Sequence, residues 1–109
     1  MTTCSVLSNF KAYLKQVCGD FPASLIGLMV FGSYARGDAK INSDLDIALL
    51  VEGDFSRTDR AVVRELFSRF YDNIDINLFC TTQEKIETAQ SKFDANRWIR
   101  EEGKVIWLR

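Results

Sequence analysis

Two aspartates stand one residue apart in Ser43-Asp44-Leu45-Asp46, at the head of the apolar run Ile47-Ala48-Leu49-Leu50-Val51. On a strand, side chains at i and i+2 share a face about 7 Å apart along the chain, so Asp44 and Asp46 can converge on the same cations. Two divalent ions about 3.5–4 Å apart polarise a phosphoryl group, neutralise triphosphate charge and lower the pKa of an attacking hydroxyl. That arrangement takes a third carboxylate. Asp75, which alternates with apolar residues in Ile74-Asp75-Ile76-Asn77-Leu78-Phe79, is the candidate. It would serve the cation that activates the acceptor hydroxyl, or accept its proton. The hard carboxylate oxygens suit Mg²⁺, or Mn²⁺ in its place. Histidine is absent from the chain, which removes Ser-His-Asp and Cys-His catalysis, His-ligated zinc and imidazole acid–base chemistry.

An anion site is expected just upstream. Gly32-Ser33-Tyr34-Ala35-Arg36-Gly37 follows an apolar run and opens a predicted helical turn. Unsatisfied N–H groups at such a start point outward, and a glycine lets phosphate oxygens approach them. Ser33 adds a hydroxyl donor. Arg36 either pairs with phosphate or acceptor, or is a solvated loop cation. Tyr34 has no assigned role, and Asp38 is read as a surface residue. The ordinary alternative makes Asp44 a strand cap, Asp46 a solvated edge residue and Asp75 a turn residue. An acid between Leu45 and Ile47 in a core-like strand argues against this, because burying it is costly unless it is paired or metal-bound.

The elements that must position these groups follow from periodicity. Val6, Leu7, Phe10, Leu14 and Val17 recur at helical spacing, with Ser5 as the predicted cap, before Gly19 and Pro22 break the helix. Leu25 to Phe31 and Leu45 to Val51 read as buried strands, joined by a short helical turn and a loop. Ser56 or Thr58 starts a helix with Ala61, Val62, Leu66 and Phe70 on one side, ended by Asp72-Asn73. Ile74 to Phe79 is the third strand. Thr81 and Glu84 have the form of a capping box for a last helix running to about Glu102. Lys104 to Leu108 is expected to be extended. Phe93, Trp98 and Trp107 are expected to pack in the core rather than form an interface. The whole, residues 1–109, reads as one small α/β domain with a mixed β-sheet flanked by helices.

Bulk properties narrow the function. The balance of 14 Lys+Arg against 15 Asp+Glu, a formal net charge of -1, gives no electrostatic basis for nucleic-acid or membrane capture. No apolar stretch approaches the roughly 20 residues of a transmembrane helix, and the first residues do not read as a signal peptide. A cytoplasmic location is expected. Cys4, Cys18 and Cys80 are odd in number and widely spaced, so they are read as reduced, mostly buried thiols rather than a disulfide framework or zinc site.

GSYARGDAKINSDLDIALL, with Gly-Ser, ten residues and then Asp-x-Asp, resembles the signature of the DNA polymerase β-like nucleotidyltransferase superfamily. The short length and the closing Glu102-Gly103-Lys104-Val105-Ile106-Trp107 are similar to the minimal nucleotidyltransferases of prokaryotes. The resemblance implies that Gly32 and Ser33, with Arg36 as a further candidate, hold the triphosphate of ATP. It implies that Asp44 and Asp46 bind two Mg²⁺ ions and that Asp75 completes the site. It also implies an antitoxin that transfers AMP to a tyrosine of a HEPN-domain ribonuclease toxin, in a hetero-oligomer with it. Two alternatives accompany that reading: an antibiotic-type nucleotidyltransferase acting on a small molecule, and a non-catalytic subunit that masks the toxin.

Overall fold

In a computed structural model, described for residues 3–70 and 74–109, four strands form a mixed sheet in the order β3-β2-β1-β4. Here β1 is Leu25–Phe31, β2 Leu45–Val51, β3 Ile76–Thr81 and β4 Lys104–Leu108. The two central strands, β1 and β2, pair antiparallel, with Phe31 opposite Asp46. The outer strand β4 lies antiparallel to β1, which bears out the extended tail. The other outer strand, β3, runs parallel to β2, with Leu45 opposite Ile76 and Asp46 opposite Asn77. A parallel pair requires a long crossover, and α3 (Arg57–Ser68) lies within it.

Strand alternation divides the apolar residues between two faces. Leu45, Ile47 and Leu49 pack with Phe10 and Leu14 of α1 (Thr3–Val17) and with Val63, Leu66 and Phe67 of α3. Edge-on aromatic contacts knit this side together, among them Phe10 to Phe67 at 5.2 Å and Phe21 to Trp107 at 4.9 Å. Contacts of that kind add about 0.5–1.5 kcal/mol beyond area burial. Ala48 and Leu50 face the opposite side, where they meet Ile86 of α4 (Gln83–Thr88) and Ile99 of α5 (Ala95–Glu102). By the same alternation, Asp44 and Asp46 share this second face.

Several expectations are corrected. Helix α1 begins at Thr3, so Ser5 lies inside it rather than capping it. Helix α3 buries Val63, Leu66 and Phe67, whereas Ala61 and Val62 are exposed. Its start is as expected, since the Ser56 hydroxyl accepts from Asp59 N and the Asp59 carboxylate accepts from Ser56 N. Its expected end at Asp72-Asn73 lies outside the described residues. The third strand runs two residues later than expected, to Thr81, and Thr82 rather than Thr81 caps the next helix by accepting from Lys85 N. The single last helix is two: Asp94 caps α5 by accepting from Asn96 N, and residues 89–94 break the chain between them. Trp107 packs in the core as expected, but Phe93, in that break, is 89 % exposed and Trp98 is 40 % exposed. Cys18 and Cys80 are free and partly buried, while the Cys4 side chain lies outside the described residues.

Candidate active site

The end of β1 and the start of β2 bring the two motifs into contact. Gly32 has φ 74 and ψ -150, a conformation that only glycine adopts readily. A Cβ there would collide with Oδ2 of Asp46. The absence of a side chain at Gly32 is therefore what lets the Asp46 carboxylate lie against the backbone. One helical turn follows, α2 (Ser33–Arg36), in which Ala35 N and Arg36 N both donate to Gly32 O. Gly37, in the left-handed conformation at φ 83, closes it. Ser33 is half-buried at the start of this turn.

Asp44 is exposed just before β2, and Asp46 is half-buried within it. The Asn77 amide joins them, with Nδ2 donating to Asp44 Oδ2 at 3.2 Å and to Asp46 Oδ1 at 3.0 Å. Sequence reasoning missed Asn77. The sequence offered only its spacing, two residues after Asp75; which side of the sheet Asn77 faces is set by the β2–β3 register. Asp75 precedes β3, where its carbonyl accepts from Leu45 N at 2.8 Å and continues the ladder. With Asp44, Ile41, Asn42, Ser43 and Ile74 it lines an open cleft of about 270 Å³. Asp44 and Asp46 thus meet at one amide, and Asp44 and Asp75 meet at one cleft.

Among the described residues, no three His, Cys, Asp or Glu side chains gather closely enough to hold a metal ion. The donor set at the Asp44–Asp46 pair nevertheless fits a hard divalent cation. Two carboxylates converge on a single polar group, and an Asn side chain can turn its carbonyl oxygen toward the same point.

Arg36 faces elsewhere. Its Nη1 meets Glu102 Oε1 at 3.0 Å and its Nε meets Asp38 Oδ2 at 3.2 Å, tying α2 to the end of α5. These hydrogen bonds, to Asp38 first and Glu102 second, hold the guanidinium above its already high pKa. Asp38 is a surface residue, as expected, and pairs with Arg36.

The chain has relatives among known proteins, by sequence and by fold. A family model described as a nucleotidyltransferase domain matches residues 11–103. Over 76 residues, 68 % of this chain, the sequence is 36 % identical to MJ1305 of Methanocaldococcus jannaschii, whose name proposes a protein adenylyltransferase. The chain spans about half the length of that relative, 50 %. The fold is similar to a chain of a toxin–antitoxin complex crystallised with AMP-PNP, with a TM-score of 0.62 and 23 % identity over 91 % of this chain and 73 % of that one. It is also similar to a chain of the complex between a tri-AMPylated Shewanella oneidensis HEPN toxin and an MNT antitoxin, at a TM-score of 0.58 and 20 % identity over 95 % and 73 % of the two chains. A Sulfolobus solfataricus structure, itself proposed to be a nucleotidyltransferase, gives 0.59 and 21 % identity over 98 % and 84 %. At these identities the structures share a fold.

Proposed function

The chain belongs to the nucleotidyltransferase domain family, and from that premise we propose that it transfers AMP from ATP to a tyrosine hydroxyl of a HEPN-domain ribonuclease toxin, as that toxin's antitoxin. The observation that carries this reading is the convergence of Asp44 and Asp46 on one point beside Gly32. The acceptor class rests on the relatives, one named for protein adenylyl transfer and one from a complex of an AMPylated HEPN toxin with its MNT antitoxin.

In the proposed reaction the acceptor oxygen forms a bond to the α-phosphorus, the bond from that phosphorus to the bridging oxygen breaks, and pyrophosphate leaves with the electron pair. Gly32 and Ser33 hold the triphosphate through backbone N–H groups and the hydroxyl. Asp44 and Asp46 would hold the divalent cations, which would supply charge neutralisation and hydroxyl activation. Asp75, at the cleft beside Asp44, accepts the proton of the acceptor, or would serve as a further cation ligand. Arg36, paired with Asp38 and Glu102 through Nε and Nη1, fixes the α2 turn against α5, and the nucleotide would be met by its remaining N–H donors. The reaction takes place in a hetero-oligomer with the toxin, in the cytoplasm. No helix among the described residues is long and apolar enough to cross a membrane.

The test is incubation of the chain, and of its Asp44→Asn/Asp46→Asn variant, with labelled ATP, Mg²⁺ and the protein encoded beside it, followed by intact-mass analysis. An AMP mass on the neighbour with the native chain alone is the expected result. Binding and neutralisation of the neighbour without AMP transfer would replace this reading with a masking subunit. Transfer to an aminoglycoside-like acceptor instead would make the chain a small-molecule enzyme.

A further inference from the structure

The residue of the third strand that touches the aspartate pair is Asn77. It stands opposite Asp46 in the β2–β3 register, and its Nδ2 lies within hydrogen-bond distance of both carboxylates. Asp75, two residues earlier, meets Asp44 across the neighbouring cleft. Two carboxylates converging without a cation repel one another, and a bridging N–H donor relieves that repulsion.

We infer that Asn77 both positions and serves the cation site: its amide nitrogen keeps Asp44 and Asp46 converged while no cation is bound, and its amide oxygen would be offered to a bound cation. The change needs only a half-turn about the terminal torsion, whose two orientations differ little in intrinsic energy. A neutral third group lets the carboxylate pair stay converged without a third negative charge in direct contact. The contact on Asp46 is two-sided, because Oδ2 rests against Gly32 while Oδ1 accepts from Asn77. The carboxylate is therefore oriented from both ends before any ligand arrives. Removing even an outer partner of metal-binding side chains typically changes metal affinity by about 10–100-fold.

This inference rests on the nucleotidyl-transfer reading, and the experiment separates the two. Mn²⁺ is titrated into the full chain at a saturating concentration of a non-hydrolysable ATP analogue, followed by water-proton relaxation enhancement. The Asn77→Ala, Asn77→Asp and Asp44→Asn/Asp46→Asn variants are measured alongside, each checked for native folding by circular dichroism. Asn77→Ala is expected to weaken Mn²⁺ binding about tenfold or more. Asn77→Asp, which keeps an oxygen ligand at the same place, is expected to bind at least as tightly as the native chain. If Asn77→Ala binds Mn²⁺ as the native chain does, or Asn77→Asp is as weak as Asn77→Ala, the role of Asn77 is overturned while the aspartate site stands. If the native chain and the double aspartate variant bind Mn²⁺ alike, the nucleotidyl-transfer reading falls, and this inference with it.

Discussion

Replacing Gly32 by alanine tests the link between backbone conformation and chemistry most directly. The residue sits at φ 74 and ψ -150, a region essentially reserved for glycine, and forcing a side chain into it costs about 1–3 kcal/mol. The new Cβ would also meet the Asp46 carboxylate, so either the backbone shifts or the carboxylate does. For a domain of this size each kcal/mol lowers the melting temperature by roughly 4–8 °C, so a fall on the order of 10 °C is expected. A carboxylate displaced by about 1 Å is expected to cost roughly 100-fold in transfer rate. Gly37→Ala is the control: Gly37 has φ 83, but its Cβ would meet nothing within 4 Å. That variant should lose about 1–2 kcal/mol of stability to backbone strain and keep native transfer. Thermal melting by circular dichroism and initial rates of AMP transfer check both. The reasoning is refuted if Gly32→Ala melts within a degree or two of the native chain, or if both variants lose transfer to the same extent.

Three further outcomes are expected. Thr81 is buried and its hydroxyl donates to the Asn96 side chain at the start of α5. Thr81→Val should therefore leave that acceptor unpaired and cost about 1–3 kcal/mol in urea melts. Hydrogen bonds from Ser56 N, and next from the Ser24 and Ser56 side chains, hold Asp59 below its ordinary value of 3.8. The native chain should therefore be more stable than Asp59→Asn above that pH, and the advantage should vanish as pH falls through the lower folded value. A stability difference that persists unchanged into stronger acid would contradict this. Phe93 is 89 % exposed, so Phe93→Ala should move stability by no more than about 0.5 kcal/mol in denaturant unfolding.

The outline of the fold was legible because apolar periodicity and turn residues agree over most of the chain. The break between α4 and α5 was not, because it rests on side chains that bond across the loop. Arg100 Nη1 reaches Ile86 O at 2.9 Å, Arg97 Nη1 reaches Gln90 O at 3.1 Å, and Trp98 Nε1 reaches Lys92 O at 2.8 Å. No local propensity encodes those partners. The shift of the cap from Thr81 to Thr82 has a similar origin: adjacent threonines look alike in sequence, but only Thr81 ends the strand in contact with Asn96. Val62 and Val63 are about one-quarter turn apart on α3, within the breadth of an amphipathic stripe, so periodicity does not separate the exposed one from the buried one.

The contact with Asn77 depends on register, which a single strand cannot disclose. In the observed pairing, Ile76 and Leu78 face the α1 and α3 side while Asn77 shares the face of Asp46. A one-residue slip would reverse every β3 side chain. It would put Ile76 and Leu78 beside the two aspartates and drive the Asn77 amide into the apolar layer around Phe67, where an unpaired amide costs about 1–3 kcal/mol or more. The hydrophobic core thus selects the register, and the register selects Asn77. Asp44 and Asp46 could be recognised from their spacing alone because they lie on one continuous segment, at and just before the start of β2, whereas their amide partner is defined only after the crossover through α3 has been packed.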